Sequence, residues 1–76
     1  MSYSEDIYIN LGKNIKKYRL NKGISQENLS ELLNANLKYI GHVERVERYI
    51  SLKKLIDISR LLNVSMKELF DFTDLH

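Results

Sequence analysis

His42 and Glu44 stand two residues apart as an H-x-E pair, the shortest pattern that suggests a metal ligand beside a general base. On a helix, residues at this spacing point away from each other. The only other histidine is His76 and there is no cysteine, so the three or four converging ligands that zinc needs are missing. No nucleophile, base and oxyanion group stand at an interpretable spacing. The sequence therefore points away from an enzyme, a metal centre and a cofactor. Asn28-Leu29-Ser30 and Asn63-Val64-Ser65 fit the glycosylation acceptor, but without a secretory signal they read as helix residues and caps.

What remains is charge. Residues 13–60 hold eleven of the twelve Lys and Arg against five Asp and Glu, a local net charge of +6, whereas residues 1–12 and 61–76 carry −2 each. A basic middle between acidic flanks makes a polyanion the natural partner. On charge alone, cations that merely solvate helix faces are an equal reading.

A folded chain of 76 residues buries only about 60% of the surface its unfolded form exposes. Without disulfides it depends on a compact core, which makes a partner subunit an early expectation. The lack of Cys excludes a disulfide scaffold and a thiol nucleophile. Residues 1–6 are acidic and polar, unlike a signal peptide, and no apolar run approaches the roughly 18 to 20 residues of a membrane span. The expectation is one cytoplasmic domain over residues 1–76.

The elements that position these residues are all helical. Ile7, Leu11, Ile15 and Tyr18 recur at 4, 4 and 3 residues and form one helical stripe that ends near Lys22, where Gly23 suits a left-handed turn. Ser25 caps a second helix from Gln26, with Leu29, Leu32 and Leu33 inward. Asn34-Ala35-Asn36 breaks the pattern before a third helix at about 37–45, with Ile40 and Val43 inward. Ser51 caps a fourth helix with a broad apolar face of Leu52, Leu55, Ile56, Ile58, Leu61 and Leu62. Ser65-Met66-Lys67-Glu68 is a capping box that starts a short fifth helix.

A short helix, a three-residue turn and a second helix make a helix-turn-helix candidate, whose second helix is slim enough for the major groove. Three stretches carry the resemblance further: Ser25-Gln26-x-x-Leu29-Ser30-x-x-Leu33, Tyr39-Ile40-Gly41-x-Val43-Glu44-Arg45, and Leu55-x-x-Ile58-Ser59-x-Leu61-Leu62-x-Val64-Ser65-x-x-x-Leu69. Together they resemble the Cro/cI-like (XRE) family of repressors from about Leu11 to Phe70. The resemblance implies a compact, all-α, five-helix domain of the lambda-repressor type. In that family the Gln that opens helix 2 binds phosphate, a role that falls on Gln26. The resemblance places Asn36, Leu37, Lys38 and His42 on the DNA-facing side of the recognition helix, Tyr39 beside them, and Arg45 and Arg48 near the DNA backbone. Lys38 can donate to guanine O6 or N7, Asn36 can contact a base edge or a phosphate, and Leu37 offers apolar contact such as with a thymine methyl. Tyr39 reads equally as half-buried core, and Lys38 and His42 also read as plain surface residues.

The resemblance also pairs Glu44 with Arg19 as a buried structural bridge. Gly41, which costs about 0.8 to 1.0 kcal/mol in mid-helix, and Ser30 are the small residues expected where the second and third helices meet. This sequence departs from the family at Asn34 and Val46, where Gly is usual, and at Ile50, where Pro is common. Asn34 substitutes easily, but β-branched Val46 is disfavoured at positive φ, so the loop after the third helix is expected to take a different path. The implied function is a homodimeric regulator of transcription on a palindromic operator, joined through helices 4 and 5 and the apolar Phe70, Phe72 and Leu75. Glu44-Arg45-x-x-Arg48-x-Ile50-Ser51-Leu52 is similar to controller proteins of restriction–modification systems. The competing class is an antitoxin-like or anti-repressor-like module that turns the same surfaces toward another protein.

Overall fold

Leu11 and Ile15 fall on one face of a long helix, α1 (Tyr3–Asn21), and both are buried against the rest of the chain. A computed structural model describes residues 3–73 and continues with α2 (Gln26–Leu32), α3 (Tyr39–Glu44), α4 (Leu52–Leu62) and α5 (Met66–Leu69). No strand occurs among the described residues. Leu75 lies outside them.

Three serines start three helices. Ser25 Oγ accepts from Asn28 N at 3.0 Å, Ser51 Oγ from Lys54 N at 3.2 Å, and Ser65 Oγ from Glu68 N at 3.0 Å, with Glu68 Oε1 accepting from Ser65 N in return. Each cap satisfies a backbone donor that the helix leaves open and contributes about 1 kcal/mol.

The first four helices share one kind of ending: a left-handed residue follows the helix, and two amides turn back onto its last carbonyls. The left-handed residues are Gly23, Asn34, Val46 and Asn63, with φ of 73°, 57°, 60° and 56°. Gly and Asn suit the position, but Val46 does not, and the expected detour of this loop is corrected here. Val46 takes the left-handed conformation because the closing bonds require it: Val46 N donates to Val43 O at 3.1 Å, and Glu47 N to His42 O at 2.7 Å. The strain is about 1–2 kcal/mol.

The core joins Leu11 and Ile15 of α1, Leu29 and Leu33 of α2, Tyr39, Ile40 and Val43 of α3, Leu55, Ile58 and Leu62 of α4, Leu69 of α5, and Ile50 from the α3–α4 loop. Fully buried Asn14 ties down the C-terminal segment, donating from Nδ2 to Leu69 O at 2.8 Å and to Asp71 O at 3.0 Å. Three sequence expectations need correcting. Leu32 is exposed, because the short α2 buries only the side that meets α3. Leu52 and Ile56 of α4 are exposed as well, since the core side of the helix is made by Leu55, Ile58 and Leu62, with Leu61 packed at its edge. The α-helical part of the third segment is shorter than expected, with Leu37 and Lys38 in a turn before it. A close helix approach falls at Gly12, where a Cβ would lie 3.1 Å from Glu44 O and 3.2 Å from Val43 O. Gly41 instead leaves room for side chains.

Candidate nucleic-acid interface

Ser30 locks α2 to α3. Its Oγ donates to Gln26 O at 2.8 Å and accepts from Ile40 N at 3.0 Å, satisfying an amide in the first turn of α3. At the other end of α3, Glu44 takes Arg19 Nε at 2.8 Å on Oε2 and Arg19 Nη2 at 3.2 Å on Oε1. These side chains are only 7% and 5% exposed. A two-pronged pair this deeply buried fixes orientation, and losing one partner strands the other charge. Arg19 Nη1 also donates to Ile24 O at 2.9 Å, and Gln26 Nε2 to Glu44 Oε1 at 2.9 Å. One cluster thus holds the ends of α1, α2 and α3.

Anchored at both ends, α3 presents a polar outer face. Leu37, Lys38, Arg45 and Arg48 are exposed and His42 is partly so. Asn36 shapes the entry to the helix: its Oδ1 accepts from Lys38 N at 2.8 Å and its carbonyl from Tyr39 N at 2.8 Å. The Asn36 side chain keeps its amide nitrogen and the second lone pair of Oδ1 for an outside partner. Beyond α3, Glu47 Oε1 accepts from His42 Nδ1 at 2.8 Å and from Arg45 Nε at 3.0 Å. These hydrogen bonds hold the Glu47 carboxyl below its ordinary pKa, that from His42 most strongly.

The architecture agrees with what the chain is similar to. Residues 15–69 match the helix-turn-helix family. The chain belongs to that family. Among its relatives, control protein C.SmaI of Serratia marcescens is 41% identical over 64 residues, which covers 84% of this chain and 76% of the relative. Control protein C.BamHI of Bacillus amyloliquefaciens is 35% identical over 71 residues, 92% of this chain and 88% of the relative. The crystal structure of the restriction–modification controller protein C.AhdI from Aeromonas hydrophila matches with a TM-score of 0.78 at 32% identity, over 90% of this chain and all of the other.

Within the helix-turn-helix domain, the residues singled out from the sequence separate into three groups. Leu37, Lys38, His42 and Arg45 share the exposed side of α3 and the turn that leads into it. Gln26 and Asn36 are partly engaged, each with one group bound inside the protein. Tyr39 belongs to the core: it is buried, with Arg48 lying 5.7 Å and Lys54 5.8 Å from its ring centroid. The aromatic ring therefore supports Arg48. Burial raises the Tyr39 phenol pKa, which Arg48 partly opposes.

The H-x-E pair separates as its spacing implies, Glu44 turning to Arg19 and His42 to Glu47. Among the described residues no three His, Asp or Glu converge as metal ligands, and no helix is long and apolar enough to cross a membrane. The sequence reading missed Glu47 and Lys54. Glu47 lies five residues beyond His42, a spacing that no continuous helix brings together; only the left-handed turn at Val46 does so. Lys54 donates to Leu33 O at 3.2 Å, capping α2 from α4.

Proposed function

We propose that this protein is a controller-type regulator of transcription: a single domain over residues 1–76 that acts in the cytoplasm as a homodimer on a palindromic operator. The carrying observation is the double anchoring of α3 by Ser30 and by the Arg19–Glu44–Gln26 cluster, with a cationic outer face left exposed. A helix held this firmly enters the major groove without further ordering, so little binding energy is lost to preorganisation. Leu37, Lys38 and His42 face base edges, with Lys38 as the donor to guanine. Asn36 contributes its amide nitrogen. Gln26 keeps one N–H for a phosphate at the start of α2, and Arg45 and Arg48 take phosphates on either side of the groove, Arg48 resting on Tyr39. The role is binding, with no catalytic step.

Dimerisation uses the apolar face formed by α4, α5 and the start of α1. Tyr49, Leu52, Ile56 and Phe70 are all exposed there, beside a groove of about 300 Å³ that Ile7, Tyr8 and Leu55 also line. Phe72, expected in the same contact, is half-buried against its own core, its ring tilted against that of Phe70 with centroids 6.2 Å apart. A twofold axis through this face puts the two recognition helices about 34 Å apart, one turn of DNA. About six ionic contacts per dimer, made by Lys and Arg side chains, give a log–log salt slope near −5. Titrations from about 50 to 200 mM salt measure it; a flat response contradicts binding through the phosphates.

A further inference from the structure

We infer that Glu47 is a positioning residue for DNA recognition: its carboxylate fixes the His42 and Arg45 side chains on the outer face of α3 and thereby sets how strongly the protein discriminates between DNA sequences. The inference rests on the DNA-binding reading above and adds to it a residue that touches one proposed base reader, His42, and one proposed phosphate contact, Arg45.

The geometry is specific. One oxygen, Glu47 Oε1, receives both His42 Nδ1 and Arg45 Nε. An ionised carboxylate only accepts, so this contact keeps the His42 proton on Nδ1 and presents Nε2 outward as an acceptor while the ring is neutral. An acceptor at that position suits the amino group of cytosine or adenine in the major groove. Arg45 is held from a second side. A Cβ on Gly41 would lie 3.1 Å from Arg45 Nη1, 3.4 Å from Nη2 and 3.1 Å from Gln26 Oε1, so the guanidinium lies back over the glycine beside Gln26. Glu47 occupies Nε only and leaves the terminal nitrogens of Arg45 for DNA.

Stability does not explain this arrangement, because the Arg45 and Glu47 side chains are about half exposed and surface pairs contribute little. Discrimination does. A carboxylate near phosphates repels every duplex alike and Arg45 offsets that repulsion on any backbone, whereas a prepositioned His42 adds binding only on a duplex whose bases meet it. Glu47 thus penalises loose, non-specific binding.

The test compares wild type and Glu47→Gln, in the full chain, on the duplex that the wild type selects from a random pool and on a scrambled duplex. Equal melting temperatures confirm that folding is intact. Glu47→Gln is expected to bind the scrambled duplex more tightly and the selected one more weakly, lowering the ratio of the two affinities about tenfold. In a His42→Ala/Arg45→Ala background the same substitution should leave that ratio unchanged. Without DNA, the Glu47 carboxyl followed by NMR should titrate below the ordinary glutamate value in the wild type and near it in the double variant. Unchanged discrimination in Glu47→Gln overturns the inference while leaving the regulator reading in place. An effect that persists in the double-variant background makes Glu47 itself a reader and overturns the positioning role. A wild type that binds all duplexes alike overturns both the regulator reading and this inference.

Discussion

Lys38 and Arg45 flank α3 at opposite ends and are both exposed, and they are proposed to do different jobs. Lys38→Ala should cost roughly 1–3 kcal/mol on the selected duplex and relax preference at one base pair in each half-site, because the loss removes a base contact. Arg45→Ala should weaken selected and scrambled duplexes together and reduce the salt slope by about one unit per subunit. Binding titrations of both variants on both duplexes check this; equal losses on the two duplexes for Lys38→Ala refute its reading role. At this scale the sequence was partly legible. The Arg19–Glu44 bridge followed from the resemblance, and the structure places it with both charges buried. Tyr39 was ambiguous because an aromatic side chain suits a core and an interface equally, and only packing shows that its ring supports Arg48. Glu47 was illegible because its partners come from across a chain reversal.

Helix beginnings were plainer than helix ends. Ser25, Ser51 and Ser65 each cap where their type and position predict, since capping is a contact within four residues. At the ends, Gly23 and Asn34 agree with their conformations, but Val46 adopts a left-handed φ that its type argues against. Local propensity lost there to the bonds that close α3 and to the loop beyond it, where Tyr8 stacks on Tyr49 with ring centroids 4.5 Å apart. Val46→Gly should relieve this strain, offset by the greater freedom of Gly in the unfolded chain and by some lost packing, for a net gain of about 0.5–1 kcal/mol. Thermal unfolding should then show a midpoint a few degrees higher; an equal or lower one contradicts the strain argument. Periodicity also could not say which apolar positions have a neighbour to pack against. Leu32, Leu52 and Ile56 lie on or beside apolar stripes but beyond the reach of the core.

For the whole molecule, a small core and an exposed apolar face support the proposed homodimer, in which a second subunit would complete burial and set the spacing of the two α3 helices. Leu52→Glu puts a charge at the centre of that face without touching α3. Sedimentation should show the variant shifted to monomer and DNA binding weakened, with the helical circular dichroism signal retained; a variant that remains dimeric moves the interface elsewhere. The all-helical architecture was legible because helical periodicity, caps and breakers agreed along most of the chain. The interface was less so, because exposure of an apolar face depends on how helices far apart in sequence are arranged. The central claim, sequence-specific binding by a symmetric dimer, is tested most directly by selecting bound duplexes from random DNA with the wild-type protein. The account predicts an enriched palindrome with half-sites centred about 10 base pairs apart; a bound pool with no enriched sequence contradicts it.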